Sequence, residues 1–101
     1  MKVRNMISER SGKPVANQFV IENDGKVYFQ SYNSLCAVVE NGKLTLGRDW
    51  DYSNTTRKYL YIFMREYAYM TWCALPTGKS GSDSIRKAIE AGKIGFDRNM
   101  R

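Results

Sequence analysis

Two dipeptides, Asp24-Gly25 and Asn41-Gly42, constrain this chain more than any other feature. Each separates two short runs rich in β-branched and aromatic residues. Phe19-Val20-Ile21 precedes the first and Val27-Tyr28-Phe29 follows it; Leu35 to Glu40 precedes the second and Lys43-Leu44-Thr45-Leu46 follows it. Asp-Gly and Asn-Gly tolerate the positive φ angles that a two-residue hairpin turn demands, so each marks a reversal between paired strands. Residues 15–47 are therefore predicted to form a four-stranded antiparallel meander. Gln30-Ser31-Tyr32-Asn33-Ser34 is its polar connector or strand end, and the polar–apolar alternation after Gly42 is that of a half-buried strand.

Beyond the meander the period changes from two to 3.6. Trp50-Asp51-Tyr52-Ser53 leads into a main helix over residues 53–70, where Ser53 or Asn54 can accept a bond from a free N–H of the first turn. Leu60, Phe63, Met64 and Tyr67 form one apolar stripe to cover a sheet face. Pro76 ends any continuation. A short helix over 82–91 follows, capped by Ser82 or Asp83, with Ile85, Ala88 and Ile89 inward and Gly92 at its stop. Lys93 to Phe96 offers a final short strand. Residues 1–14, with Gly12 and Pro14, read as an irregular arm. The expected fold class is α+β in one domain of 101 residues: an antiparallel sheet of four to five strands built from two hairpins, one main helix packed on it, and a short C-terminal helix.

Composition narrows the functional classes. A hydrophobic fraction of 43% with 13% aromatics is that of a folded domain. No apolar run approaches the ~20 residues of a membrane span, and the N-terminus lacks the apolar core of a secretory signal, so no membrane is expected and a cytoplasmic location is. Cys36 and Cys73 are too few for a disulfide framework, and with no histidine and no Cys-x-x-Cys spacing they make no zinc site. Cys36, in an apolar run, reads as a small core residue. The net charge of +6 is uneven. Lys2, Arg4, Arg10 and Lys13 against Glu9 make residues 1–14 net positive, residues 15–56 are net negative, and the chain beyond Thr56 is strongly basic. Such a surface attracts polyanions without selectivity.

No catalytic constellation, metal site or cofactor motif stands out. Asp49, Asp51 and Glu40 are the carboxylates nearest to a group, yet no histidine or nucleophile accompanies them. Asp51 fits a turn or helix N-terminus better, where negative charge meets the helix dipole. Gly78-Lys79-Ser80 resembles the end of a P-loop, but Cys73 stands where the motif needs its first glycine and Pro76 lies inside it. Asn17, Gln18 and the run Gln30 to Ser34 suit backbone capping at strand ends, and a recognition surface is their sharper use. The leading binding candidate is the basic–aromatic stripe of Arg57, Lys58, Tyr61 and Arg65, extended toward Tyr69. Its guanidinium groups suit phosphate or carboxylate and its ring offers a stacking platform; the alternative is an ordinary solvated helix face.

The ordered series NQFVI, VYFQSYNSL, WDYSNTTRKY and a charged C-terminal helix before Gly-Lys-Ile resembles a family of small bacteriophage and mobile-element proteins of unknown function. Those carry a similar NQF, FQSYNS, WDYS and TT-x-KY pattern. The resemblance spans roughly residues 11–64 and, more loosely, 82–95, and the stretch from Met64 to Ser82 is longer than the pattern. It implies a small non-enzymatic protein that binds a host protein or nucleoprotein complex, with an anti-defence role such as an anti-CRISPR inhibitor first. A basic nucleic-acid-binding accessory protein is the alternative.

Overall fold

A computed structural model describes residues 1–75 and 81–101. Among them, six strands form one sheet in chain order: β1 (Lys2–Ile7), β2 (Pro14–Asn23), β3 (Lys26–Ser31), β4 (Ser34–Glu40), β5 (Lys43–Gly47) and β6 (Gly95–Asp97). Three helices, α1 (Asn54–Tyr67), α2 (Tyr69–Cys73) and α3 (Gly81–Glu90), occupy the stretch between β5 and β6. The class is α+β as expected.

Both diagnostic dipeptides turn as their chemistry requires. Asp24 and Gly25 have φ of 52° and 76°, and Asn41 and Gly42 repeat those values, so both central residues of each hairpin are left-handed. The turns fix the register, pairing Asn23 with Lys26 and Glu40 with Lys43. A third reversal is tighter than the expected polar connector. Ser31 pairs with Ser34 across a two-residue turn, Tyr32-Asn33, and a bulge at Cys36 shifts the register behind it.

Two strands depart from the sequence reading. The expected irregular arm 1–14 contains β1, which pairs antiparallel with β2 from Lys2↔Glu22 to Asn5↔Phe19. It is an edge strand on which Met6 alone is buried, so its inward signal is one residue long. The sheet is also not wholly antiparallel. β6 runs parallel to β5, with Thr45 opposite Gly95 and Leu46 opposite Phe96. A parallel neighbour needs a crossover, and the helical segment supplies it.

Ser53 is the cap of α1: extended at φ −152°, it accepts from the Thr56 N–H at 3.1 Å. The helix ends at Tyr67, short of the expected residue 70, because Ala68 leaves the helical region at φ −134°, ψ 49° before α2 starts. Leu60, Phe63 and Met64 are fully buried as the stripe predicts, and Tyr67 is half-buried. Phe63 lies between Phe29 of β3 and Tyr67, with ring centroids 5.8 and 5.1 Å away. Ile85 and Ala88 of α3 join the same core, together with Val20, Leu44, Leu46 and Ile94. Ser82 and Asp83 fall inside the first turn of α3 instead of capping it. Arg86 ties α3 to the β5–α1 connection, meeting the Asp51 carboxylate at 2.7 Å and lying 5.5 Å over the Trp50 ring. No helix among the described residues is long and apolar enough to cross a membrane.

Candidate functional site

The helical period brings Arg57, Lys58, Tyr61 and Arg65 onto one shallow groove of about 350 Å³, closed by Glu9 and Trp72. Much of its charge is engaged within the chain. Arg57 donates to the Asp51 carbonyl at 3.0 Å and to the Asn54 side chain. Arg65 pairs with Glu9 at 2.6 Å. Tyr61 is half-buried against Trp72, 5.9 Å between centroids, and it packs so close to α3 that a Cβ at Gly81 would stand 2.8 Å from the Tyr61 ring. Burial pushes the Tyr61 hydroxyl pKa up, countered by Arg57 and Arg86. Lys58 sits 5.5 Å from the Tyr59 ring. Tyr69, the expected extension, is on α2 beyond the break at Ala68. The predicted stripe thus holds α1 to the β1–β2 loop and to its neighbouring helices.

A second, larger cleft of about 540 Å³ lies at the other side of the α1 N-terminus. Its walls come from the β3–β4 turn (Ser31 to Ser34), the β5–α1 connection (Asp49, Tyr52, Ser53) and the first turn of α1 (Thr55, Thr56). These are the residues of the FQSYNS, WDYS and TT segments, far apart in sequence and gathered by the fold. The floor is a hydroxyl net: Ser31 and Thr56 share a hydrogen at 2.9 Å, and Ser53 meets Thr56 at 3.1 Å. Ser34 donates to the Asp49 carboxylate at 3.0 Å, and Arg48 bonds the same carboxylate at 3.2 Å. Those two donors, Arg48 first, hold the Asp49 pKa below the usual carboxylate range. A carboxylate so stabilised is a weak base. Cys36 borders the cleft as a buried thiol whose pKa burial raises to about 11, so it is protonated and inert near neutral pH.

Two tyrosines stand at the mouth, Tyr32 at 43% exposure and Tyr52 at 75%. Tyr32 has a φ of 56°, an unusual conformation for a bulky side chain. Its neighbours hold it there: the Tyr32 N–H donates to the Asn17 carbonyl at 2.7 Å, and the Gln30 amide donates to the Tyr32 carbonyl at 2.8 Å. Asn17 therefore contributes its main-chain carbonyl, whereas Gln30 has the backbone-capping use expected of its side chain. Gln18 does not. It is fully buried opposite Ser31, and neither end of its amide has a hydrogen-bond partner among the described residues. Tyr52 was legible only as a lead-in to the helix; what marks it is its place beside the Ser53 cap, opposite a turn the sequence does not reveal as tight.

The three carboxylates weighed for acid–base work stand in three separate pairs. Asp49 is with Arg48, Asp51 with Arg86, and Glu40 with Lys26 at the far end of the sheet. No group of acidic, cysteine or histidine side chains suited to a metal ion occurs among the described residues. Gly78-Lys79-Ser80 and Pro76 lie outside the described residues.

No curated protein and no solved structure matches the chain. The model of a family of unknown function, DUF8033, matches residues 1–74, which covers β1 to β5, α1, α2 and the whole cleft. The chain belongs to that family.

Proposed function

We propose that this protein is a non-enzymatic binding module that docks on a protein partner through the Tyr32–Tyr52 cleft. The observation that carries this reading is the make-up of the cleft: two exposed tyrosines over walls of serine, threonine and asparagine. Tyrosine supplies a large amphipathic contact at low entropic cost, and short hydroxyl and amide side chains supply adaptable hydrogen bonds, which is the chemistry of protein-recognising surfaces. The cleft offers little to catalysis. The Ser31, Ser34, Ser53 and Thr56 hydroxyls bond one another or a weakly basic carboxylate, so none of these four is an activated nucleophile. The resemblance to small phage and mobile-element proteins supports a host protein complex as the partner, and inhibition of a defence complex such as a CRISPR effector as the activity to test first.

The alternative, direct nucleic-acid binding, has the net charge of +6 in its favour. The internal pairing of Arg57 and Arg65 weighs against the helix groove as a phosphate track. A pull-down from nuclease-treated bacterial lysate distinguishes the two. The expected result is a defined partner retained after nuclease and lost with Tyr52→Ala, while Arg57, Lys58 and Arg65 changed together to glutamine keep it. Nucleic-acid binding by the isolated protein at physiological salt, lost in that triple variant and weakening by about 0.7–0.9 log units per log unit of salt for each phosphate contacted, overturns the reading.

A further inference from the structure

Among the described residues the sheet ends in β1 on one side and β6 on the other. β6 is three residues long, whereas β1 has six and is open, with Met6 alone buried. The hairpin at Asp24-Gly25 decides which groups of β1 face outward. A two-residue turn closes on a mutually hydrogen-bonded pair, here Asn23↔Lys26, and bonding directions alternate along a strand. Ile21 and Phe19 therefore bond toward β3, and Glu22 and Val20 toward β1. In the β1–β2 register Lys2↔Glu22 and Arg4↔Val20 are then the bonded pairs, so Val3 and Asn5 turn their N–H and C=O away from the sheet. No strand among the described residues receives them. The side chains alternate as well. Lys2 and Arg4 lie on the helix side, where Arg4 reaches Tyr67 and Glu66; Val3, 55% exposed, lies on the other side with Asn5.

We infer that the β1 edge takes up an extended, acidic segment of a protein partner as one further strand. Outward N–H and C=O groups spaced along an extended backbone are the template for strand addition. Charge then decides which strand. Along the edge, its loop and the facing side of α1, the cations Lys2, Arg4, Arg10, Lys13 and Arg65 outnumber the carboxylates Glu9, Glu22 and Glu66. Arg4 and Arg65 hold Glu66 and Glu9, while Lys2, Arg10 and Lys13 close no ion pair among the described residues. A second copy would set β1 beside β1 and bring Lys2 and Arg4 alongside their own counterparts, on molecules of net charge +6. An acidic strand meets the same residues with opposite charge. Alternation gives the segment its pattern: acidic side chains toward Lys2 and Arg4, apolar ones between them beside Val3. The register shift between Asn5 and Ile7 ends the regular ladder, so the added pairing is short. This surface shares no residue with the Tyr32–Tyr52 cleft and does not depend on it.

The probe is a synthetic peptide of alternating glutamate and valine, titrated against the full chain up to about 5 mM and followed by NMR amide exchange. The expected result is a dissociation constant of about 1 mM or tighter, with exchange at the Val3 and Asn5 amides slowed about tenfold or more at saturation. The same peptide with lysine for glutamate should bind at least about tenfold more weakly. Val3→Pro deletes an outward N–H that the fold does not use, and proline is accepted at a sheet edge. It should weaken binding about tenfold or more with an unchanged circular-dichroism spectrum. Lys2→Glu, exposed and in no ion pair, should weaken it about three- to tenfold and carries the test should Val3→Pro fail to fold. No binding at about 5 mM overturns the inference, as does binding that leaves the Val3 and Asn5 amides in fast exchange. Equal affinity for the lysine peptide overturns it too. So does a chain that dimerises at about 1 mM and loses the dimer with Val3→Pro, which gives the edge to a second copy.

Discussion

Gln18 is the residue whose replacement tests the core most sharply. Its side chain is fully buried in β2 with both amide atoms unbonded among the described residues. An amide left without partners in an apolar interior costs about 1–3 kcal/mol relative to one that is solvated or bonded. Methionine has similar length and no polar end to satisfy, so Gln18→Met should recover that cost and gain a little apolar burial. The expected change is a stabilisation of about 1–3 kcal/mol. For a domain of this size each kcal/mol raises the melting temperature by about 4–8 °C. Urea unfolding with an unchanged m-value is the assay, because a constant slope shows that the same surface is exposed in wild type and variant. A loss of more than about 1 kcal/mol would refute the reasoning. It would mean that the Gln18 amide is bonded in the folded protein and that β2 needs it.

Three further outcomes follow from the packing and the site. Phe63→Ala should cost about 3–5 kcal/mol in the same assay, since the ring is fully buried between Phe29 and Tyr67, and a loss under about 1 kcal/mol would contradict that placement. Asp49 titrates below its unfolded value of about 3.9, so its pairing with Arg48 and Ser34 stabilises the fold above that pH and the contribution fades as pH falls through the lowered folded pKa; Asp49→Asn should flatten the acid limb of stability below about pH 4 and change nothing of that slope near pH 7. A thiol reagent at pH 8 should label Cys73, which is exposed, and spare Cys36, whose pKa burial raises to about 11; equal rates for both in the folded protein would show Cys36 to be open.

What the sequence disclosed and what it withheld divide along physical lines. Local chemistry was legible: Asp24-Gly25 and Asn41-Gly42 need left-handed backbone, and Leu60, Phe63 and Met64 mark a helical face. Pairing between distant segments was not. β1 carries one buried residue, Met6, and takes its register from β2, while β6 is placed only by the crossover that ends in α3. The site divides likewise. Arg57, Lys58, Tyr61 and Arg65 share a helix face, so their meeting in one groove follows from period alone. That Arg65 would find Glu9, and Arg57 the Asp51 carbonyl, is tertiary information. The cleft was further out of reach. Tyr32 and Tyr52 border one cleft only because a bulge at Cys36 and a two-residue turn set the β3–β4 reversal beside the α1 cap, and no pattern in the chain announces a tight turn at Tyr-Asn.

That turn carries the last prediction. Among the described residues four non-glycine positions have positive φ, and three are asparagine or aspartate, which visit this region readily; the fourth is Tyr32. A side chain there costs about 1–2 kcal/mol, whereas glycine adopts the conformation freely and gives back about 0.5–1 kcal/mol through its looser unfolded chain. Tyr32→Gly and Tyr32→Ala both remove the ring, and only the first removes the strain. Tyr32→Gly should therefore be the more stable of the two by about 0.5–1 kcal/mol in urea unfolding. Both variants should lose partner binding alike if the ring is an anchor. Equal stability would show that the backbone at Tyr32 is relaxed. Binding kept in both variants would move the anchor to Tyr52 and leave the tyrosine at this turn without a recognition role. On the proposed docking reading, the strained turn that Asn17 and Gln30 hold in place keeps its tyrosine for what the ring touches on the partner.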